Sequence, residues 1–429
     1  MSREMIDSNA GWIGSIPSEW SAYKLLYALE RPIFDGPHET PTVVDNGVPF
    51  ISVDSVNDTK NVDLNVCKKF ISEEDFNEYY KKTPLKQGDV LFTKAATIGK
   101  TAIVDDRKYM VWSPLAILRS GKHVNNEYLY YVLNCPNLID YTAHFLGNSA
   151  TQINVGMREL ERAKLPVPPL SEQRQIVHFL DRKCSAIDTA IEKTKGSIEK
   201  LEEYKKAVIT KAVTKGLNPD AKMKDSGIEW IGEVPETWDV KRIKYACLER
   251  KEKKIFKDAP NRYIGLENVE SYTGHFIETE STYLPGVYDV CYENDILFGK
   301  LRPYLAKVIM APYEAACTGE FLIIKNFVGE IKFLFYWLAN KEFVKAVDVS
   351  TYGAKMPRAN TEYIMNLPIC LPSDKEQQQI LSYLDDKCAS IDVLISKKQD
   401  AINKWEEYKK SLIYYAVTGK IDCRNEAVK

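Results

Sequence analysis

Side chains that commonly catalyse reactions occur in this sequence, but their spacing does not suit catalysis. The five histidines are isolated, the nine cysteines form no CxxC pair, and neither HExxH nor GxSxG occurs. Gly99–Thr101 resembles the end of a phosphate-binding P-loop, yet Lys94 occupies a position where that loop needs a glycine. The [D/N]PP[Y/F] tetrad of amino-methyltransferases is also absent, since Val167 precedes the prolines at 168 and 169. The sequence therefore predicts no catalytic residues and no metal site.

Basic residues form the second group with potential chemistry. Five lie close together between positions 250 and 257: Arg250, Lys251, Lys253, Lys254 and Lys257. A solvated loop is the default interpretation of such a cluster, and contact with phosphate groups is the alternative. The formal net charge of the chain is −2, which excludes a protein coated in basic charge but leaves room for local basic patches.

The bulk composition is that of a folded protein with more than one domain. The chain has 429 residues, of which 45% are hydrophobic and 28% are charged. It contains no apolar run of about 18 residues, and its N-terminus shows no signal-peptide pattern. The odd number of scattered cysteines favours reduced thiols that serve as small core residues. We therefore expect a cytoplasmic protein without a membrane span.

The sequence contains an internal repeat of two copies. Trp12–Trp20 reads WIGSIPSEW and Trp230–Trp238 reads WIGEVPETW, 218 residues later. Glu202–Lys206 (EEYKK) returns unchanged as Glu406–Lys410, at an offset of 204. Copies of about 210 residues are too long for solenoid repeats, which run to about 20–50 residues. We expect duplicated domains with approximate twofold symmetry.

Each copy divides into an irregular part and a helical part. The predicted domains are two mixed α/β domains at 1–165 and 222–368, a central helix at 166–221 and a distal helix at 369–429. Asp89–Thr93 and Asp295–Phe298 have the composition of strands, each ending near a lysine. Tyr128–Leu133 and Phe333–Leu338 suit a buried helix or a strand, and the residues that follow favour helix. The predicted fold class is α/β (α+β).

The helical parts carry a heptad pattern over about five repeats, which favours a coiled coil. The predicted interface residues are Leu180, Ile187, Ile191, Ile198, Leu201, Leu384, Ile391, Ile395, Ile402 and Trp405. Ser171 and Ser373 follow prolines at positions that suit helix N-caps. The alternative is two amphipathic helices packed on separate globular cores.

Chain connectivity predicts the direction of the two helices. The first helix leads from the first domain to the second, so a second helix that packs against it must run back. The pair would be antiparallel, with the C-terminus near the N-terminus. Thr194 and Lys398 would lie near the midpoints as polar interruptions. Helices of this length form a rod of roughly 60 Å, which would hold two similar domains apart.

These motifs resemble one family along the whole chain. They are the DSxxxWIGxxPxxW openings from Asp7 and Asp225, LPVPPLSEQRQI at Leu165–Ile176, and D-x-K-x-x-x-I-D at Asp181–Asp188. Together they resemble the specificity (S) subunit of type I restriction-modification systems. The second copy departs locally, reading LPSDKEQQQI with two additional residues.

The resemblance implies a function without catalysis by this chain. Two target recognition domains would each read one half of a split, asymmetric DNA site, and the helices would set the gap. The helices would also dock two methyltransferase (M) subunits, which methylate adenine with S-adenosylmethionine. Restriction (R) subunits would join them and use ATP and Mg. No cofactor is expected on this chain itself.

The candidate DNA-binding residues are polar and basic side chains near strand ends. They are Lys94, Lys100, Gln152 and Asn154 in the first domain, and Lys300, Arg302, Lys355 and Arg358 in the second. Arginine can bind guanine with two hydrogen bonds, and glutamine or asparagine can bind adenine. Surface charge or backbone capping would place the same residue types there. The 25 tyrosines are expected in the core rather than stacked on bases.

Two other functions stay open on the residues alone. One is a non-catalytic adaptor in which a coiled coil joins two protein-binding domains. The other is a self-contained restriction or methylation enzyme whose motifs have degenerated.

Overall fold

Two compact units make up the protein, and both long helices are divided between them. The computed structural model describes residues 3–39, 41–57, 59–95, 97–145, 155–260, 262–279, 284–353 and 355–424. Unit 1 comprises Met1–Thr194 and Asp400–Lys429, and unit 2 comprises Lys195–Gln399. These units cut across the predicted domain boundaries, because each half of a helix makes its contacts within a different unit.

The first copy contains short strands, short helices and one long helix. Its strands are β1 (Met5–Asp7), β2 (Ser15–Pro17), β3 (Ser21–Lys24), β4 (Phe34–Asp35), β5 (Val48–Ile51), β6 (Phe70–Ile71), β7 (Val90–Thr93), β8 (Thr101–Ile103), β9 (Met110–Val111), β10 (Leu115–Leu118) and β11 (Lys164–Val167). Its helices are α1 (Leu25–Ala28), α2 (Glu73–Lys82), α3 (Asn126–Leu133), α4 (Pro136–Phe145), α5 (Met157–Arg162) and α6 (Leu170–Lys215).

The second copy repeats much of this order. Its strands are β12 (Met223–Asp225), β13 (Glu233–Pro235), β14 (Asp239–Arg242), β15 (Leu248–Glu249), β16 (Lys253–Phe256), β17 (Tyr263–Ile264), β18 (Gly286–Cys291), β19 (Ile296–Gly299), β20 (Val308–Met310), β21 (Ala315–Cys317), β22 (Phe321–Lys325) and β23 (Pro368–Leu371). Its helices are α7 (Ile331–Ala339), α8 (Lys341–Asp348), α9 (Thr361–Asn366) and α10 (Asp374–Val417).

One four-stranded antiparallel sheet is common to both units. Its order is β4-β10-β7-β8 in unit 1 and β15-β22-β19-β20 in unit 2. The predicted strands at Asp89–Thr93 and Asp295–Phe298 are confirmed as β7 and β19, the buried inner strands of this sheet. The predicted apolar helices are confirmed as α3 and α7, which contact the same sheet.

The second sheet differs between the units. In unit 1 its order is β6-β5-β9, with β5 parallel to β9. In unit 2 the corresponding parallel pair is β17 and β21, and the order is β16-β18-β21-β17. Strands β16 and β18 therefore extend the sheet on the side away from β17, where unit 1 has no counterpart among its described residues. The two copies therefore share the four-stranded antiparallel sheet and differ in the strands of the second sheet.

A buried ion pair holds the common sheet in each unit. Asp89 and Asp295 are 2% and 4% exposed and lie just before β7 and β19. Asp89 accepts two hydrogen bonds of 2.8 Å from Arg119, which follows the inner strand β10. Asp295 accepts bonds of 2.7 and 3.1 Å from Arg250, which follows the edge strand β15. The buried carboxylate thus lies at the equivalent position in both units, while its arginine partner comes from a different strand. A partner is needed in each unit because an unpaired buried charge would be strongly destabilising.

The starts of the long helices correct one prediction and confirm another. Helix α10 begins at Asp374, and the Ser373 side chain accepts the Glu376 amide at 3.4 Å, as expected of an N-cap. Helix α6 begins at Leu170, so Ser171 lies inside it and the N-cap prediction was wrong there. The Pro169 carbonyl accepts the amides of Glu172 and Gln173, as the Ser373 carbonyl accepts that of Gln377, so Pro169 occupies the position before α6 that Ser373 occupies before α10.

Equivalent glutamines tie each helix start to the domain that precedes it. Gln173 accepts the Asn125 amide at 2.7 Å and donates to the Pro168 carbonyl at 2.8 Å. Gln377, 204 residues later, accepts the Glu330 amide at 2.9 Å and donates to the Pro372 carbonyl at 3.0 Å. Both side chains are buried, so each satisfies backbone groups that would otherwise lack partners.

The predicted interface residues fall into three classes of exposure. Those that are buried are Leu180, Ile187, Ile191, Leu384, Ile391 and Ile402. Ile198, Leu201 and Ile395 are half-buried. Trp405 departs from the prediction with 39% exposure, because two helices leave too little enclosed surface for an indole. Thr194 and Lys398 are half-buried as well.

The helix segments run antiparallel within each unit. In unit 1 the Tyr128 hydroxyl donates to the carbonyls of Pro166, before α6, and Val417, at the end of α10. Further along, Lys409 of α10 binds Asp188 of α6 at 2.6 and 2.8 Å. In unit 2 the repeat-related pair is Lys205 with Asp392, at 2.7 Å to both oxygens. The predicted antiparallel direction is confirmed in both units.

The far end of each helix packs on the opening segment of a different copy. In unit 2, Val213 of α6 shares a core with Trp238, and Lys215 donates to the Ile231 carbonyl at 3.0 Å. In unit 1, Lys420 follows α10 and donates to the Ile13 carbonyl at 2.9 Å. The expected return of the C-terminal segment to the N-terminal segment is thus confirmed within unit 1.

We predict that the Lys205–Asp392 pair stabilises unit 2 by up to about 1 kcal/mol, since Asp392 is partly exposed. Asp392→Lys should lower the thermal midpoint of that unit by a few degrees. Combining it with Lys205→Asp should restore most of the loss. Asp386→Lys, an exposed change on the same helix, is the matched control. Additive effects of the two single changes in calorimetry would contradict the pairing.

Candidate nucleic-acid interface

The lysines that follow the inner strands are engaged within their own units. Lys94 follows β7 and forms an ion pair with Asp35, and its side chain is 17% exposed. Lys300 follows β19 at the equivalent position and is half-buried. Burial lowers the pKa of the Lys300 ammonium, and the Glu320 carboxylate opposes that shift. Both lysines lie at the ends of inner strands of the common sheet. DNA would have to compete with Asp35 for Lys94 and with Glu320 for Lys300.

A pair of adjacent segments carries the other predicted residues of unit 2. Arg302 opens a 3-10 turn at Pro303–Leu305, and its amide donates to the Pro357 carbonyl at 2.7 Å. Leu301 and Tyr352 each form a β-bridge with Arg358. Backbone bonds therefore place Arg302 beside the segment Tyr352–Arg358, which brings three predicted residues, Arg302, Lys355 and Arg358, to one surface.

Exposed apolar and aromatic side chains accompany these cations. Tyr352 is 63% exposed, Met356 is 59% exposed and Tyr304 is 44% exposed. We call the set Arg302, Tyr304, Tyr352, Lys355, Met356 and Arg358 the loop surface of unit 2. Cationic side chains beside exposed aromatic rings can bind phosphates and pack on bases.

The backbone at Arg302 is held in an unusual conformation. Its φ is +50°, in the left-handed region, and Ala306 at the other end of the turn has φ +47°. Such conformations cost about 1–3 kcal/mol in residues other than glycine and are concentrated at functional sites. The conformation directs the chain through the turn so that the Arg302 side chain is exposed.

The three cations of the loop surface differ in their partners. Arg358 forms an ion pair with Glu320, whose other carboxylate oxygen is buried and has no hydrogen-bond partner among the described residues. For Arg302 and Lys355, the described part of the chain provides no side-chain hydrogen bond or ion pair. Arg302 and Lys355 can therefore bind a ligand without breaking a contact, whereas Arg358 would have to exchange Glu320 for it.

The corresponding surface of unit 1 is only partly described. Gln152 and Asn154 lie outside the described residues. The next residue, Val155, donates its amide to the Lys94 carbonyl at 2.9 Å, as Ala359 does to the Lys300 carbonyl in unit 2. Lys100 is half-buried, and its amide donates to the Thr93 hydroxyl at 2.9 Å. Val155 and Ala359 thus lie beside equivalent strand ends.

The basic cluster of residues 250–257 is largely neutralised by acidic neighbours. Its ion pairs join Arg250 to Asp295, Lys251 to Glu249, Lys253 to Asp289 and Lys254 to Glu314. Most of these side chains are exposed, so each pair contributes little to stability. The pairing favours a solvated, charge-balanced surface over a dedicated phosphate site.

Neither a metal centre nor a membrane-spanning helix occurs in the described ranges. Within them, no group of three histidine, cysteine, aspartate or glutamate side chains is placed to hold a metal ion. None of the helices there is both long and apolar enough to cross a membrane.

Comparison with known families gives two matches that coincide with the two copies. The sequence model of the type I restriction modification DNA specificity domain matches residues 40–203 and again residues 235–404. The chain belongs to this family. Each match covers most of one α/β domain together with a large part of one long helix, which is consistent with the resemblance noted from the motifs.

Relatives agree with this membership over nearly the whole chain. A specificity subunit assigned to the type I restriction enzyme MjaX of Methanocaldococcus jannaschii is 27% identical in an alignment of 434 positions that covers 95% of each chain. The MjaVIII specificity subunit of the same organism is 30% identical in an alignment of 294 positions that covers 63% of this chain and 65% of that one. A solved chain from a study of assembly and conformational transition of the type I R-M system has a TM-score of 0.67 at 13% identity. The match covers 95% of this chain and 99% of that one.

The sequence did not identify every component of the loop surface. Tyrosines were expected in the core, and Tyr352 and Tyr304 are exposed because the strained turn and the bridge at Arg358 expose them. The only local signal was composition: Gly353 and Pro357 mark an irregular segment in which buried side chains are uncommon.

We predict different effects for two changes on the loop surface. Arg302→Ala should relax sequence preference at one base position, at a cost of about 1–3 kcal/mol for the preferred duplex. Lys355→Ala should weaken binding to all duplexes alike, with a shallower salt dependence. Arg242→Ala, an exposed arginine on β14, is the matched control. Competition binding to a panel of single-base variants measures both, and an unchanged preference in Arg302→Ala would refute base reading by that residue.

Proposed function

We propose that this chain is the non-catalytic specificity subunit of a type I restriction-modification enzyme. Each of its two α/β domains binds one half of a split, asymmetric DNA site. The observation that carries the proposal is the double match to one DNA specificity family on a chain whose copies share a sheet and differ in their loops.

The difference between the copies supports two different half-sites. The common sheet gives both domains the same arrangement of inner strands, and the carbonyl of a strand-end lysine accepts the amide of Val155 in one and of Ala359 in the other. The second sheet and the loops differ, so the side chains offered to base edges differ as well. Because bases are read by individual side chains, unlike loops select unlike sequences.

We assign the gap between the half-sites to the two long helices. Helices of 46 and 44 residues are roughly 65–70 Å long at 1.5 Å per residue. Neither contains a proline after its first turn, and repeat-related ion pairs set their register within each unit. A stiff spacer converts protein geometry into a number of base pairs, as dimer geometry does in other DNA-binding proteins.

The chemistry belongs to partner subunits in this proposal. Two methyltransferase subunits dock on the helices and hold S-adenosylmethionine, and restriction subunits contribute ATP- and Mg-dependent steps. Methylation of adenine within a duplex requires that the base be flipped out, so the complex must accommodate distorted DNA. A net charge of −2 suits a shared interface in which partners supply many of the phosphate contacts.

The direct test is methylation by the assembled complex. The chain and its methyltransferase partner are produced together in a host without adenine methylation, and methylated adenines are mapped across the genome. We expect one bipartite, asymmetric motif that is lost when this chain is omitted. A folded complex without sequence preference would favour the adaptor function instead. Methyl transfer by the chain alone would favour a self-contained enzyme.

A second prediction concerns the spacer. Adding four residues to the middle of α6 and four to the middle of α10 lengthens each by about one turn, or roughly 6 Å. We expect the mapped motif to keep both half-sites while its gap changes, or methylation to be lost. A complex with full activity and an unchanged gap would refute the spacer role. Substitution of four exposed residues in the same region, without a change in length, is the control.

A further inference from the structure

An arginine in unit 1 occupies a site made by one tryptophan and two carboxylates. The Arg3 guanidinium forms ion pairs with Glu19 and Glu172 and lies 5.4 Å from the centre of the Trp20 ring. The Trp20 indole N–H donates to the other oxygen of Glu172 at 3.0 Å. Arg3 and Glu172 each have side chains that are 7% exposed. The guanidinium thus completes a nearly closed polar cluster at the start of α6.

The second copy retains half of this cluster. Trp238 corresponds to Trp20, and Glu376 corresponds to Glu172. The position of Arg3 is taken by Ala221 and that of Glu19 by Thr237, both at the repeat offset of 218. The cation and one of its two carboxylates are therefore missing from unit 2.

A cavity lies where the cation would be. It has a volume of about 950 Å³, and its lining includes Ala221, Thr237 and Glu376, the three positions that correspond to Arg3, Glu19 and Glu172. The Glu376 carboxylate forms no hydrogen bond or ion pair with any described residue. The lining also includes Asp220, Glu236, Lys222 and Lys375, so acidic groups outnumber basic ones.

A buried donor beside the cavity has lost its acceptor. Trp238 is fully buried, and its indole N–H has no hydrogen-bond partner among the described residues. A Cβ atom built on Gly216 would lie 3.2 Å from both Glu376 Oε1 and Trp238 Cζ2, so the carboxylate lies next to the indole. Buried polar groups are nearly always satisfied, which makes the unpaired N–H a second indication of an incomplete site.

We propose that this cavity of unit 2 binds the guanidinium group of an arginine supplied by a partner polypeptide. The partner is the methyltransferase subunit, and this identification rests on the proposed function. The arginine pairs with Glu376, whose second oxygen turns to accept the Trp238 N–H, as Glu172 does for Trp20. Unit 1 supplies the same group from its own chain through Arg3.

The chemistry of the cavity selects arginine over other ligands. A guanidinium offers several N–H donors in one plane, so it can bind a carboxylate with two bonds and lie against an aromatic ring. A lysine ammonium lacks that planar fork, and a DNA phosphate would be repelled by Glu376, Asp220 and Glu236. The large cavity suits a side chain delivered on a peptide segment, as Arg3 is delivered in unit 1.

The cavity can be tested first on the complete chain alone. N-acetylarginine amide is titrated while the Trp238 indole N–H resonance, assigned with Trp238→Phe, is followed by heteronuclear NMR. We expect a saturable shift at Trp238 and none at Trp20, whose N–H is already bonded. N-acetyllysine amide should bind at least about tenfold more weakly, and Glu376→Gln should abolish the shift. Equal shifts with both amides, or none with arginine, would overturn the proposal.

The assembled complex provides the second test. Ala221→Arg combined with Thr237→Glu restores the unit 1 cluster within unit 2 and should block the partner's arginine. We expect this variant to raise the thermal midpoint of the chain and to weaken capture of the methyltransferase at least about tenfold. Ala221→Gln with Thr237→Gln is the uncharged control. Undiminished capture by the Arg–Glu variant would show that no partner arginine enters.

The two tests separate this inference from the proposed function. If the unaltered chain captures no methyltransferase, the proposed function fails, and the titration still decides whether the cavity selects arginine. If capture and methylation are normal but neither test responds, the proposed function stands and the arginine site is refuted.

Discussion

Each unit depends on a helix end contributed by the other repeat. The last turns of α6 place Val208 and Val213 in the core built around Trp238, and the last turns of α10 bring Val417 to the Tyr128 hydroxyl in unit 1. A residue that is buried in such a core stabilises it by about 1.5–3 kcal/mol. The opening WIG segment of each copy then accepts a hydrogen bond from a lysine at the end of the incoming helix, Lys215 in α6, or just after it, Lys420 after α10. The strand ends that carry Lys94 and Lys300, and the loops beside them, belong to units whose cores these helix ends complete.

The repeat preserves interactions more faithfully than residues. Asp89 and Asp295 keep their place before the inner strand, while their arginines come from different strands. Asp181 and Asp385 both accept a tyrosine hydroxyl from the preceding apolar helix, yet the accompanying lysine is Lys60 in one unit and Lys332 in the other. In both cases the carboxylate keeps its place in the repeat, and a different position supplies its cationic partner. The loops outside this frame are free to diverge.

The two long helices could be predicted from sequence, whereas the loop surface of unit 2 could not. Heptad spacing identified α6 and α10 because side-chain periodicity survives in any context, and connectivity then required the antiparallel direction confirmed in each unit. Ser171 failed as an N-cap because α6 begins one residue before it, at Leu170, and Trp405 failed as a buried residue because indole volume is not part of the heptad pattern. The grouping of Arg302 with Arg358 depends on a left-handed turn and a bridge between residues 57 positions apart, Leu301 and Arg358, which leave no periodic signal.

Unit 1 is discontinuous in sequence, and unit 2 is not. During synthesis from the N-terminus, every residue of unit 2 has been made once Gln399 is added, whereas unit 1 still lacks Asp400 onward. Domains generally fold as units while the chain is still emerging, so the second repeat can reach its final core before the first. The first repeat meanwhile exposes the apolar surface that the end of α10 will cover. The second repeat can therefore complete its core before the first, although it is translated later, because the core of unit 1 is completed only by residues from Asp400 onward.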